Sequence, residues 1–147
     1  MTVIPPGLSL VVRRRIGAAA VDVFAAWTQP EHLMRWWGPR DVQCVEASID
    51  LRVGGRYRIG NRFSDGRMLW IVGEFESISP PHELVYSWRT QTGVQPSERV
   101  TVRFEPHGAE TEVVVIHERI LAAATRDGHE AGWQDCLDGL GNFLATA

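Results

Sequence analysis

Two periods divide the chain. Residues 8–16 and then 42–53, 56–62, 68–78, 84–90, 98–105 and 111–118 alternate apolar with polar positions, the pattern of half-buried strands. Residues 18–28, the run from Pro30 to Trp37, and residues 125–144 instead bring apolar side chains together every three or four positions, the pattern of helices lying on a core. In the first helix Val21, Phe24, Ala25 and Thr28 share a side; in the second, Leu33, Trp36 and Trp37 do. In the third, His129, Trp133, Cys136, Leu137, Leu140, Phe143 and Leu144 share one, with Gln134, Asp135, Asp138 and Asn142 opposite.

Punctuation fits these elements. Pro30 opens a helix and Gly38-Pro39 ends it. Gly54-Gly55, Ser64-Asp65-Gly66, Pro80-Pro81-His82 and Pro106-His107-Gly108 separate the strands, 91–97 is a loop, and Gly73 marks a bulge. The order is strand, two short helices, about six strands, one long helix. Short turns imply an antiparallel sheet, and the long helix is the cover for its apolar face. Gly128, Gly132, Gly139 and Gly141 each cost that helix about 1 kcal/mol relative to alanine. Burial of an apolar side chain returns about 1.5–3 kcal/mol, so the helix forms by docking. A sheet that curves around such a helix leaves a cavity, and the glycines mark either that space or a close approach.

The 147 residues fit one domain, with a loose arm at 1–7 and the domain at 8–147. Eighteen acids against 15 bases, all arginine, give a net charge of −3, which argues against a nucleic-acid partner. Cys44 and Cys136 fit no metal or multi-disulfide spacing, although one bridge between them stays open. No leader and no apolar run of about 20 residues is present, so a cytoplasmic protein without a membrane span is expected. Arg13-Arg14-Arg15 alternates faces on a strand end and reads as solvated. Asp50 and Arg52 read as a structural ion pair.

The chemistry of a site is sparse. No serine-nucleophile elbow, phosphate loop or histidine pair with metal spacing occurs, so no catalytic residue, metal or cofactor is assigned. Cys136 reads foremost as a small buried hydrophobe. The pocket candidates are the aromatics Trp37, Tyr57, Trp70, Phe75, Tyr86, Trp88, Phe104 and Trp133, together with His117, His129 and Cys136. His117 is in phase with Val113 and Val115 and so faces the helix; it serves either a ligand or, as a structural histidine, the backbone or Tyr86. His129 stands one turn before Trp133 and serves either a ligand or water.

Several segments occur in a familiar order. They are Val23-Phe24; Trp27-Thr28-Gln29-Pro30-Glu31-His32-Leu33 running into Trp36-Trp37-Gly38-Pro39; Asp50-Leu51-Arg52-Val53-Gly54-Gly55-Arg56-Tyr57; and Gly73-Glu74-Phe75 running to Pro80-Pro81-His82-Glu83-Leu84-Val85-Tyr86-Ser87-Trp88. Val100-Thr101-Val102-Arg103-Phe104, residues 111–117 and Gly132-Trp133 with Leu137 and Leu140 complete them. Over residues 8–144 the chain resembles the START-like (SRPBCC, birch-pollen-allergen-like) superfamily. Within it, the chain is most similar to the family of the C-terminal domain of the activator of the heat-shock-protein ATPase. The resemblance implies an α+β helix-grip fold: about seven curved antiparallel strands gripping the C-terminal helix, with two short helices after the first strand. It also implies a cavity used across the superfamily for lipids, polyketides, hormones and other apolar molecules. Binding of a small lipophilic ligand is therefore the expected function. A cyclase- or hydrolase-like enzyme and a co-chaperone-like interaction module are the alternatives. The separate N-terminal domain of such co-chaperones has no counterpart in this sequence, and a homodimer is left open.

Overall fold

The computed structural model describes residues 7–91 and 96–145. The proposed arm, apart from Gly7, and the centre of the 91–97 loop lie outside the described residues. The elements are β1 (Leu8–Ile16), α1 (Ala20–Thr28), α2 (Pro30–Trp36), β2 (Val42–Ile49), β3 (Arg56–Phe63), β4 (Met68–Ser79), β5 (Glu83–Thr90), β6 (Glu98–His107), β7 (Glu110–Ile120) and α3 (Ala123–Ala145). The strands form a seven-stranded antiparallel sheet in the order β1-β7-β6-β5-β4-β3-β2. It curves as a half-barrel around α3, with α1 and α2 after the first strand, which is the α+β helix-grip architecture.

Alternation selects the inner face. Leu10 and Val12, Tyr57 and Ile59, Leu84, Tyr86 and Trp88, Val100, Val102 and Phe104, and Val113, Val115 and His117 are all buried in one core. Burial of these side chains is the main driving term for docking the sheet onto its helices. Within α3 the docked residues are Trp133, Cys136, Leu137 and Leu140, while Phe143 and Leu144 are only partly covered. The helix runs along β1 and also touches β7, α1 and α2. Arg14 fastens it there, donating to Asp138 and, at 2.8 Å, to Gln134 Oε1. The arginine triplet is thus paired rather than merely solvated: Arg13 meets Glu112 at 3.3 Å and Arg15 meets Glu110 at 3.4 Å.

Three local expectations need correction. The first helix docks through Val23, Phe24, Ala26, Trp27 and Thr28, and Val21 is exposed. Trp27 is the large anchor of this short helix and sets its rotation. β2 stops at Ile49 rather than 53, because Asp50 N–H donates to Arg56 O and Gly54, at φ 82°, turns its own N–H to Phe75 O. Asp50 and Arg52 do pair there, at 2.8 Å. Gly73 is in regular register with Tyr57, and the bulge falls one step on, between Phe75 and Ser77. A Cβ at Gly73 would lie 2.0 Å from Ser87 O and 2.7 Å from the Tyr57 ring. That glycine leaves the path by which the Tyr57 hydroxyl donates to Ser87 O at 2.6 Å.

Candidate functional site

Where α3 diverges from β3, β4 and β5, a partly open cavity of about 160 Å³ remains. Trp37, Trp88 and Trp133 supply indole walls, and Val42, Phe63, Leu69 and Ile71 supply the sheet side. Gly128, His129, Gly132 and Cys136 supply the helix side. A Cβ at Gly132 would meet only Pro39 Cγ, at 3.7 Å, and one at Gly128 would meet nothing within 4 Å. Gly139 differs: its Cβ would lie 2.5 Å from Trp36 O. The helix glycines therefore do two jobs, open space at the cavity and close approach behind it.

Five of the sequence candidates border this cavity: Trp37, Trp88, His129, Trp133 and Cys136. Tyr57, Phe75 and Tyr86 border a second space of only about 20 Å³, room for a single water. Trp37 stands between the two spaces. Phe104 is a core residue packed edge-on against Phe24 and Trp27, at ring distances of 5.5 and 5.8 Å. Trp70 lies on the opposite face of the sheet, covering Gly60, with the Arg58 guanidinium 3.9 Å from its ring. Its neighbours Leu69 and Ile71 take the inward positions, and strand alternation sends Trp70 out.

His117 is completely buried and is held from two sides. Trp133 donates its indole N–H to His117 Nδ1 at 3.0 Å, and His117 Nε2 lies 2.7 Å from Glu98 Oε1. His129 Nε2 reaches the same oxygen at 2.9 Å, and the two imidazoles stack with centroids 4.5 Å apart. Since His117 Nδ1 accepts the hydrogen bond of the Trp133 indole N–H, the neutral ring carries its proton on Nε2 and donates that N–H to Glu98 Oε1. Burial lowers the His117 pKa, and this outweighs the upward pull of the Glu98 hydrogen bond. Burial also acts on Glu98, in the upward direction, but the hydrogen bonds from both histidines prevail and hold its carboxyl at about 2. The resting cluster is one carboxylate receiving two imidazole N–H groups.

Glu98, His117 and His129 offer three ligand atoms within 4.8 Å of one another. The donor set does not suit a cation. A metal-bound imidazole nitrogen must be free of its proton, and here the Trp133 bond keeps the proton on the His117 nitrogen that faces the other two donors. Nucleophilic chemistry is also unfavoured: burial pushes the Cys136 thiol up to about 12, so it carries no thiolate near neutrality. Cys44 and Cys136 are both free thiols. Burial likewise raises the hydroxyl pKa values of Tyr57 and Tyr86, which removes them as bases.

Two buried polar atoms on residues that border the cavity lack a partner, and neither atom is itself exposed to the open space. Trp37 Nε1 and Asn61 Oδ1 are buried and make no hydrogen bond, whereas the neighbouring Trp36 donates to Ala26 O at 2.9 Å. The sequence candidates also omit Pro39, Val42, Phe63, Leu69, Ile71 and Thr90 of the lining, and the polar residues Asn61 and Glu98. Both carried a signal: Asn61 is in phase with Tyr57 and Ile59, and Glu98 with Val100, Val102 and Phe104. A polar residue in phase on an apolar strand face is the informative exception.

The family profile of activator of Hsp90 ATPase homolog 1-like proteins matches residues 18–145. The chain belongs to this family. Family membership agrees with the helix-grip sheet and the docked α3, and solved structures repeat the fold. A protein of Rhizobium leguminosarum is 25% identical with a TM-score of 0.82, covering 96% of each chain. NE0264 of Nitrosomonas europaea is 20% identical with a TM-score of 0.81, covering 95% of each chain. CalU16 of Micromonospora echinospora is 25% identical with a TM-score of 0.73, covering 94% of this chain and 76% of its own. Among curated proteins, none matches the sequence. Among the described residues, no helix is long and apolar enough to cross a membrane.

Proposed function

We propose that this family member binds a small, mostly apolar ligand in the cavity between β3–β5 and α3. The observation that carries the reading is the cavity itself, with its three indole walls and its apolar sheet side. Size sharpens it. Cavities of about 150 Å³ take a benzene-sized guest, whereas metabolite pockets typically measure about 300–1,000 Å³. At about 160 Å³ the space accommodates one ring and excludes a sterol or a folded acyl chain, unless part of the guest projects through the open side. The large exposed apolar side chains are spread over β1, α1, α2, the β2–β3 loop, β4 and the link between β7 and α3. That dispersal favours the cavity over a protein-docking face as the seat of function.

The test is native mass spectrometry with thermal shift against single-ring lipophiles. A ligand at 100 times its Kd stabilises the fold by about 2.7 kcal/mol. Gly132→Leu, which fills the cavity from the helix side, is expected to abolish that shift while the fold persists. A panel that leaves both the mass and the melting temperature unchanged overturns the reading.

A second reading is acid–base chemistry on the bound ligand. It is favoured by His129, a cavity-wall residue whose Nε2 is seated on the Glu98 carboxylate at 2.9 Å, the usual support for a general base. Such a protein exchanges an acidic ligand proton for deuterium in D2O, and His129→Gln stops it. Exchange no faster than in buffer rules this chemistry out.

A further inference from the structure

We infer that the cavity is gated by acid: a proton on His117 Nδ1 breaks the hydrogen bond that holds the Trp133 indole as a wall, and the freed ring turns into the space a guest occupies. The inference rests on the cavity-binding reading above and adds the regulation of that site. Trp133 Nε1 lies 3.0 Å from His117 Nδ1, while His117 Nε2 lies 2.7 Å from Glu98 Oε1. A neutral imidazole fits this arrangement, since one nitrogen accepts and the other donates. An imidazolium does not. Both of its nitrogens carry protons, so the indole N–H and the new Nδ1–H would meet donor to donor, and no rotation of the ring restores an acceptor. His117 is fully buried and Trp133 is 3% exposed, so the lost bond leaves a costly unpaired donor in the core. The open volume that Trp133 borders is the cavity of about 160 Å³, and a turn into it takes the indole N–H toward the open side.

The surroundings of the ring set the range in which this happens. Among the described residues, two titratable groups face it: Glu98 from β6 and His129 from α3. The neighbours from β1, β5 and β6 are Leu10, Trp88 and Val100, which carry no charge. Glu98 cannot relieve the conflict at Nδ1, because it takes the Nε2–H at the opposite end of the ring. His129 meets Glu98 through Nε2, so a proton on its Nδ1 leaves that bond intact, and the stacked positive charge then opposes one on His117. Burial holds the His117 pKa below its ordinary value of about 6.5. The gate therefore acts in acid below that value, and proton and guest exclude each other by linkage.

The test follows the Trp133 indole N–H and the His117 ring nitrogens by NMR from pH 7.5 to pH 4.5. Far-ultraviolet circular dichroism reports the fold, and calorimetry measures toluene binding at the same pH values. The indole resonance is expected to move upfield as His117 Nδ1 takes its proton, with the fold intact. Toluene affinity is expected to fall at least about fivefold over the same window. His117→Gln keeps an acceptor for Trp133 and a donor for Glu98 but cannot titrate, so its toluene profile should be flat. Trp133→Phe keeps a ring and removes the donor, and should flatten the profile too. An indole resonance that stays put across the range overturns the inference. So does one that is lost only together with the circular dichroism signal, which is global unfolding. A profile still sloped in both variants also overturns it, since the slope would then belong to Glu98 or His129. Toluene affinity independent of pH in the parent overturns the gate whatever the indole does. If toluene binds at no pH, the cavity-binding reading falls, and the indole signal alone decides whether the wall moves.

Discussion

One helix meets the body of the protein in two ways. Around Leu137 and Leu140 it is sealed: both side chains are fully buried, Gly139 brings the backbone against the Trp36 carbonyl, and Arg14 holds Asp138 and Gln134 from β1. In the turns just before, from Gly128 to Cys136, the same helix borders open space. The sealed part is organised by volume and close contact, whereas the open part is organised by polar groups, with His129 and Trp133 each spending a ring nitrogen on the Glu98–His117 pair. Helix docking and cavity chemistry are thus assigned to different turns of one element, and Trp133 belongs to both.

Trp133→Ala tests that shared position with the largest expected effect. The ring packs against Trp27, Trp37 and Trp88, and its removal is expected to cost about 3–5 kcal/mol in denaturant unfolding. An unchanged midpoint would mean that the open turns contribute nothing to docking. Next comes Gly139→Ala. The added methyl meets a backbone carbonyl, and overpacking of this kind costs about 1–3 kcal/mol despite the gain in helix propensity. A variant as stable as the parent would erase the distinction between the two stretches.

Acid sharpens the polar half of the comparison. The His117 pKa lies below its ordinary value, so as pH falls below about 6.5 the unfolded chain binds the proton first and stability declines. Glu98, held at about 2, adds stability that is present above its unfolded value of about 4.5 and is lost as pH falls from there toward 2. Melting temperature should therefore drop from pH 7.5 to pH 5 and drop again below pH 4.5. Glu98→Gln should flatten the lower step. A flat profile across both windows would show the cluster to be uncoupled from folding. The smallest effect is a gain: Gly128→Ala points into open space and should stabilise the protein by up to about 1 kcal/mol, measured by chemical denaturation. A loss there would place a contact on the side described as open.

The sheet and its cover were legible because alternation and helical period are repeated signals, and an error of one or two residues does not change which face is apolar. The site was legible only in part. His129 and Trp133 declare themselves through helical spacing. Trp70 misled because β4 opens with Met68, Leu69, Trp70, Ile71 and Val72, a run apolar on both faces that gives no phase. Glu98 was hidden by its position at the start of β6, where a carboxylate ordinarily means solvent. Its meeting with a histidine from β7 and another from α3 depends on register between distant segments, which a single sequence does not carry.

The indole cluster has an optical consequence. Of the six tryptophans, Trp27, Trp36, Trp37, Trp88 and Trp133 form a chain of ring contacts spaced 4.9–6.0 Å apart, and Trp70 lies on the far face of the sheet. Chromophores that close share their excited states, so the near-ultraviolet circular dichroism of this protein belongs to the cluster rather than to any one ring. With Trp70→Phe removing the isolated emitter, occupation of the cavity becomes visible in the protein's own spectrum, without a label.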